Sequence, residues 1–472
     1  EVATTHIVQR TGGFGTLDVA SSGGDARVFL NGLPGGLTSV VADAATGTAS
    51  LGISGGFTAG TVSGRNVALH GGGGTVNAAA ITVSGGDYTA TAPAWAGAAL
   101  NPGGTIRNLS ITDTDGGLTL THALTVTGDL RLESHGGLTS AHALVAGGDV
   151  DASAAGDIDL ISATAGDDIL IRSAGGQVVL RRAELTGAGA GRDLNITAAG
   201  DLVLGASDDL SIAASNVFSR SGGGAGRAEL SSNGGDVRVH LAASDRIDAA
   251  TAVSSILVST STGKAHLGAA TLTGTGNNRL TVRAANGDAV LGAPASGAVT
   301  SANIVTSASA GAVVEAVAAN GRVDVNLDRI VNANLTTVSG SEGVAVRVVN
   351  GSLRIAEADS ANGAVLIDGP DGALTVERLT ADTASRISAG GDVRLLSAAV
   401  SDDLSVTSVA GALALGDTGP ASVVDVEGAL SLKAATGITQ QAALQAASLG
   451  VTSGGGVVLL GDNRVARLDG VT

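Results

Sequence analysis

The chain has 472 residues, 73 of them Gly and only six aromatic, with no Cys and a formal charge of −17. The absence of Cys removes disulfide frameworks and thiolate chemistry, and the acidic balance argues against nucleic acid or anionic lipid as main partners, since both demand a basic footprint. A hydrophobic share of 44% still leaves apolar surface to bury, so the expected interior is thin and built from Leu, Val, Ile and Ala rather than rings.

The opening, EVATTHIVQRTGG, has neither an initiating Met nor a charged-then-apolar leader, and reads as a mature region or an internal piece of a longer protein. No apolar run reaches the length of a membrane-spanning helix, so no span is expected. GISGG at Gly52–Gly56 fits G-x-S-x-G formally, but no strand-to-helix elbow follows it. The stretch from Gly85 to Gly104 holds two of the six prolines and the only Tyr and Trp, and predicts a bulged or looping coil. Within it, Tyr88 and Trp95 form the candidate ligand-binding patch, because aromatic faces pack on sugar rings. The alternative is a local plug that buries them.

Repetition is clearest next. LTLTHALTVTGDLRLES (Leu118–Ser134) aligns without gaps on LTSAHALVAGGDVDAS (Leu138–Ser153), placing Leu118 on Leu138, His122 on His142, Leu124 on Leu144, Asp129 on Asp149 and Leu130 on Val150. Gly-Asp-apolar punctuation continues at Gly156, Gly200, Gly235 and Gly391, followed each time by a short alternating segment. Period-two alternation marks a strand with one face in and one out. Short strands at a repeat of about 19–20 residues predict an all-β parallel β-helix, or solenoid, of roughly 24 coils. Composition does not change along the chain, so 1–472 reads as one continuous β-helix segment with irregular loops near 85–104 and 215–230.

Several residues invite chemistry. His122 and His142 share a repeat position and should stack. That favours an exposed polar ladder over a shared divalent metal, with His135 at a different position. The repeated Asp129, Asp149, Asp157, Asp201 and Asp392 follow Gly at turns. They suit Asx-type bonding to their own backbone, with a calcium column as the alternative. Asp167, Asp168, Arg181 and Arg182 form the one acid–Arg cluster a polysaccharide-cleaving site would use, without an aromatic-lined groove beside it. Gly263-Lys264 lacks the spacing of a phosphate loop. No metal site, cofactor or catalytic residue is expected, and the chain is not expected to be an enzyme.

The segment Gly428–Thr472, GALSLKAATGITQQAALQAASLGVTSGGGVVLLGDNRVARLDGVT, carries a strand, an ITQ-type turn, an Ala/Leu-rich coil, Gly455-Gly456 with Val457 and Leu459, and then Asn463, Val465 and Leu468. With GGDVRLLSA and AAGDLVLGAS, this resembles the repeats of filamentous-haemagglutinin-type exoproteins of two-partner secretion. The resemblance implies a right-handed parallel β-helix forming the rod-like stalk of a secreted adhesin or biofilm-matrix protein at the surface of a Gram-negative bacterium. It also implies an outer-membrane transporter as export partner and glycans or proteins of host or neighbouring cells as ligands. A self-associating extracellular filament is the alternative, and a polysaccharide-degrading β-helix enzyme a more distant one. The family's Asn-Pro-Asn secretion box is missing: Asn101-Pro102-Gly103 lacks its second Asn.

Overall fold

Strands make up nearly all the regular structure in the computed structural model, which describes residues 15–30, 37–187, 191–205, 218–220, 226–241, 246–294, 297–369, 371–417 and 422–472. Helix is confined, among the described residues, to one 3-10 turn at Ala98–Leu100. Pairing is parallel, coil on coil, and gives a β-solenoid of about 20 turns. The chain divides into two compact units, Glu1–Gly234 and Gly235–Thr472.

The first unit opens with β1 (Gly15–Ser21), β2 (Ala26–Leu30), β3 (Leu37–Ile53), β4 (Phe57–Gly71), β5 (Thr75–Ala92), β6 (Ala94–Gly97) and β7 (Gly103–Asp113). Shorter strands follow. Alternation explains them: Leu130–Ser134 buries Leu130, Leu132 and Ser134 and turns Arg131 and Glu133 to solvent. A lone strand of this length would leave its backbone groups open, and parallel pairing to the next coil closes them. The 20-residue repeat is read out directly, with Leu118 paired to Leu138, Leu124 to Leu144 and Leu130 to Val150.

Coil length is less uniform than the repeat suggests. Equivalent positions lie 20 residues apart at Asp129 and Asp149 and 19 apart at Asp149 and Asp168. The step widens to 25 at Asp193 and to 34 at Arg227. Such enlarged coils account for about 20 turns in place of the expected 24. Insertions at a turn lengthen the connection without disturbing the stacked strands.

One inward column runs through Val67, Tyr88, Leu109, Leu130, Val150, Ile169 and Leu194, all buried. The interior is therefore not closed to rings. Tyr88 sits in this column, and Phe57 and Phe218 are also buried. Residues 85–104 are mostly strand rather than loop: the bulge is real, with register breaks at Ser84/Gly86 and Gly86/Tyr88, but it lies within β5, and β6 follows it. In the second expected irregular stretch, Phe218–Arg220 and Ala228–Ser232 are strands, while 215–217 and 221–225 lie outside the described residues.

The second unit repeats the plan. Its inward column runs from Val237 through Ile256, Leu280, Val314, Leu335, Ile355, Val376, Leu395 and Leu415. The next member is Gln440, followed by Leu459. Gly437–Gln440 is a strand, so the ITQ segment is no turn, and its Gln points into the core.

Candidate functional site

At the turn entering the 109–113 strand column, Asx side chains build a continuous ladder in the first unit. Asn66 Oδ1 accepts the Asp87 N–H at 2.9 Å, and Asn108 Oδ1 accepts the Asp129 N–H at 2.9 Å. Asp129 then accepts from Asp149 at 3.1 Å, Asp149 from Asp168 at 2.9 Å, Asp168 from Asp193 at 2.7 Å and Asp193 from Arg227 at 2.7 Å. Asp157 makes the same bond to Gln177 N–H, and Asp392 to Ala412 N–H in the second unit. Asp129, Asp149, Asp157 and Asp392 thus bond the backbone of the next coil, not their own as expected. Parallel stacking brings that N–H within reach.

Charge along this column is uneven. Arg107 bonds Asp87 through Nε at 3.0 Å and holds its carboxyl below the ordinary range. Burial lifts the Asp168 carboxyl, the Asp193 N–H partly offsets it, and the charges of Asp149, Asp167 and Asp193 push it further up. The acid–Arg cluster is not assembled as a site. Arg181 pairs with Asp159, Arg182 with Glu184 at 2.8 Å, and Asp168 is committed to the ladder.

Tyr88 and Trp95 do not form one exposed patch. Tyr88 is 1% exposed, and its hydroxyl donates to the Ala99 carbonyl at 2.7 Å inside the bulge. Burial pushes its phenol well above the usual range, so it stays neutral. The small side chains of Ala98 and Ala99 in the 3-10 turn make room for the ring. Trp95 lies on β6 opposite Val76, partly exposed, with Nε1 buried and without a partner among the described residues. Next to it, Gly56, Phe57, Thr58, Thr75, Asn77 and Ala96 line an open groove of about 380 Å³. Gly97 has φ +60, and any side chain there would strike the Asn77 amide, so glycine is required at the groove's edge.

His122 and His142 stack as the repeat predicts, with centroids 6.4 Å apart and planes 17° apart, on the outer face. Three arrangements escaped sequence reading. Asp113 is buried with Oδ1 unpartnered among the described residues, while Ser134 Oγ lies 3.4 Å from Oδ2; burial raises its carboxyl. Gln440 and Asn463, two pieces of the C-terminal motif, meet: Gln440 Nε2 donates to Asn463 Oδ1 at 2.8 Å, and Gln440 Oε1 accepts the Gly461 N–H at 3.2 Å. Phe29 is the third. Its ring stands 46% exposed on the outer face of β2. An outward Phe in an alternating strand was the available signal.

Comparison of the chain with family models, with curated proteins and with solved structures returned no match. No helix among the described residues is long and apolar enough to cross a membrane.

Proposed function

We propose that this chain is the β-helical scaffold of a secreted bacterial adhesin or biofilm-matrix exoprotein. The observation that carries the reading is the coil-on-coil register, which repeats the same outward positions turn after turn and so presents rows of equivalent side chains to one extended ligand. Repeated shallow contacts, each weak, add through effective concentration. The resemblance of Gly428–Thr472 to filamentous-haemagglutinin-type repeats supports the same reading, together with export through an outer-membrane transporter and display on a Gram-negative surface. In this reading the chain binds and does not catalyse.

Purified chain coated on beads should retain them on host-cell or neighbouring-cell layers, and soluble chain should compete. Beads that wash off as readily as albumin-coated ones end the proposal. A second reading is a self-associating filament. Ordered polymers under the electron microscope, without retention on cells, would select it.

A further inference from the structure

The outer face of the first coils carries an exposed phenyl ring. Ala26 and Val28 point inward from β2, and Arg27 and Phe29 point outward. Of the Phe, Tyr and Trp side chains in the described residues, Phe29 is the most exposed. Its partner on β3 is Gly52, where a Cβ would lie 2.6 Å from Phe29 Cδ1 and 2.9 Å from Cε1. The ring therefore lies in the space that the missing Gly52 side chain leaves, one side held against backbone and the other in water. Beyond Gly52 the same row continues through His70 on β4, Thr91 on β5 and Thr112 on β7. A parallel row, two residues along each strand, runs Arg27, Ser50, Ala68, Thr89 and Ser110. Successive coils are spaced about 4.8 Å apart, so hydroxyl-bearing side chains recur along a flat floor that starts at the ring.

We infer that Phe29 and the hydroxyl rows beside it form a binding face for an uncharged polysaccharide. An anchored ring offers its free face to the C–H surface of a sugar, and the Thr and Ser hydroxyls match a ligand whose own polar groups are hydroxyls. Charge points to an uncharged polymer. Arg27 is already paired with Asp25 at 2.6 Å, and Asp25 also accepts the Thr48 N–H, so the cation beside the ring is matched. A shallow open face also suits a long polymer, which gathers affinity over several coils, better than a small ligand. This inference rests on the adhesin reading and names its ligand class.

The test is affinity electrophoresis of the full chain through gels containing dextran, mannan or galactan, with alginate as the acidic counterpart. At least one neutral polymer should retard the chain. Phe29→Ala should weaken that retardation roughly tenfold, Phe29→Trp should restore it, and Gly52→Val should mimic Phe29→Ala by displacing the ring. Thermal melts of Phe29→Ala should match the parent within about 2 °C, because the ring is outside the core. The inference is overturned if no neutral polymer retards the parent chain, if alginate alone does, or if Phe29→Ala binds undiminished. Cell retention by the parent distinguishes the two claims. If it persists without neutral-glycan binding, this face fails and the adhesin reading stands; if it is absent, the adhesin reading fails first.

Discussion

The two ends of the Asx ladder in the first unit solve one geometric problem with different charges. From Asn66 to Asn108, amides alternate with Asp87, which is paired to Arg107. From Asp129 to Asp193 four carboxylates follow one another. Each Oδ1 accepts the N–H of the next coil in both regions, so the hydrogen bond does not require a charge. What the acidic region adds is mutual repulsion, and Asp168, in its middle, shows it. Geometry and solubility are thus met by separate choices along one column.

Removing the acceptor should break both regions alike. Asn108→Ala and Asp149→Ala each remove the acceptor of a backbone N–H that water can still reach, and should cost about 0.5–1.5 kcal/mol in chemical denaturation of the chain. A cost confined to the acidic end would show that charge, not the inter-coil bond, holds the column. Smaller and opposite in sign are the pH effects. The folded Asp87 carboxyl lies below its ordinary value of 3.8, so its contribution is present above that value and lost as pH falls through the folded one. Asp87→Asn should therefore destabilise at pH 7 and cost progressively less below about pH 4. Asp168 titrates above 3.8 when folded, so its contribution is full below that value and lost as pH rises through the folded one. Asp168→Asn, which keeps the acceptor, should raise the melting midpoint at pH 7 by about 1–2 °C and lose that advantage near pH 4. Parallel pH profiles for the two variants would remove the distinction. The smallest effect belongs to the exposed imidazole pair: His122→Ala should shift stability by less than about 0.5 kcal/mol, and a larger loss would give the outer stack a structural share.

Much of the fold was legible because a repeat with matched polar and apolar positions leaves few arrangements open. Leu118 and Leu138 pair as aligned, and Asp129 and Asp149 occupy one ladder. Asp after Gly reads the same whether it bonds its own turn or the next coil, and only stacking chooses. The widened step to Asp193 was hidden because extra residues leave no periodic trace, while the step to Arg227 contains the stretch near 215–230 that the sequence marks as irregular. Tyr88 was misplaced because one ring in a column of aliphatics contradicts the average composition, and its space comes from distant small residues at Ala98 and Ala99. Gln440 and Asn463 stood in the same quoted motif, but 23 residues apart, and one coil of stacking is what joins them.

The ladder also has a direction. In every rung the earlier coil supplies the oxygen and the later coil the N–H. A nucleus that adds coils toward the C-terminus therefore ends, at each step, in a carboxylate or amide oxygen facing water, a group that hydrates readily. Growth in the reverse sense would end in a backbone donor awaiting its acceptor. A coil laid on the C-terminal side of another thus meets a row of side-chain acceptors, and one laid on the N-terminal side meets a row of backbone donors.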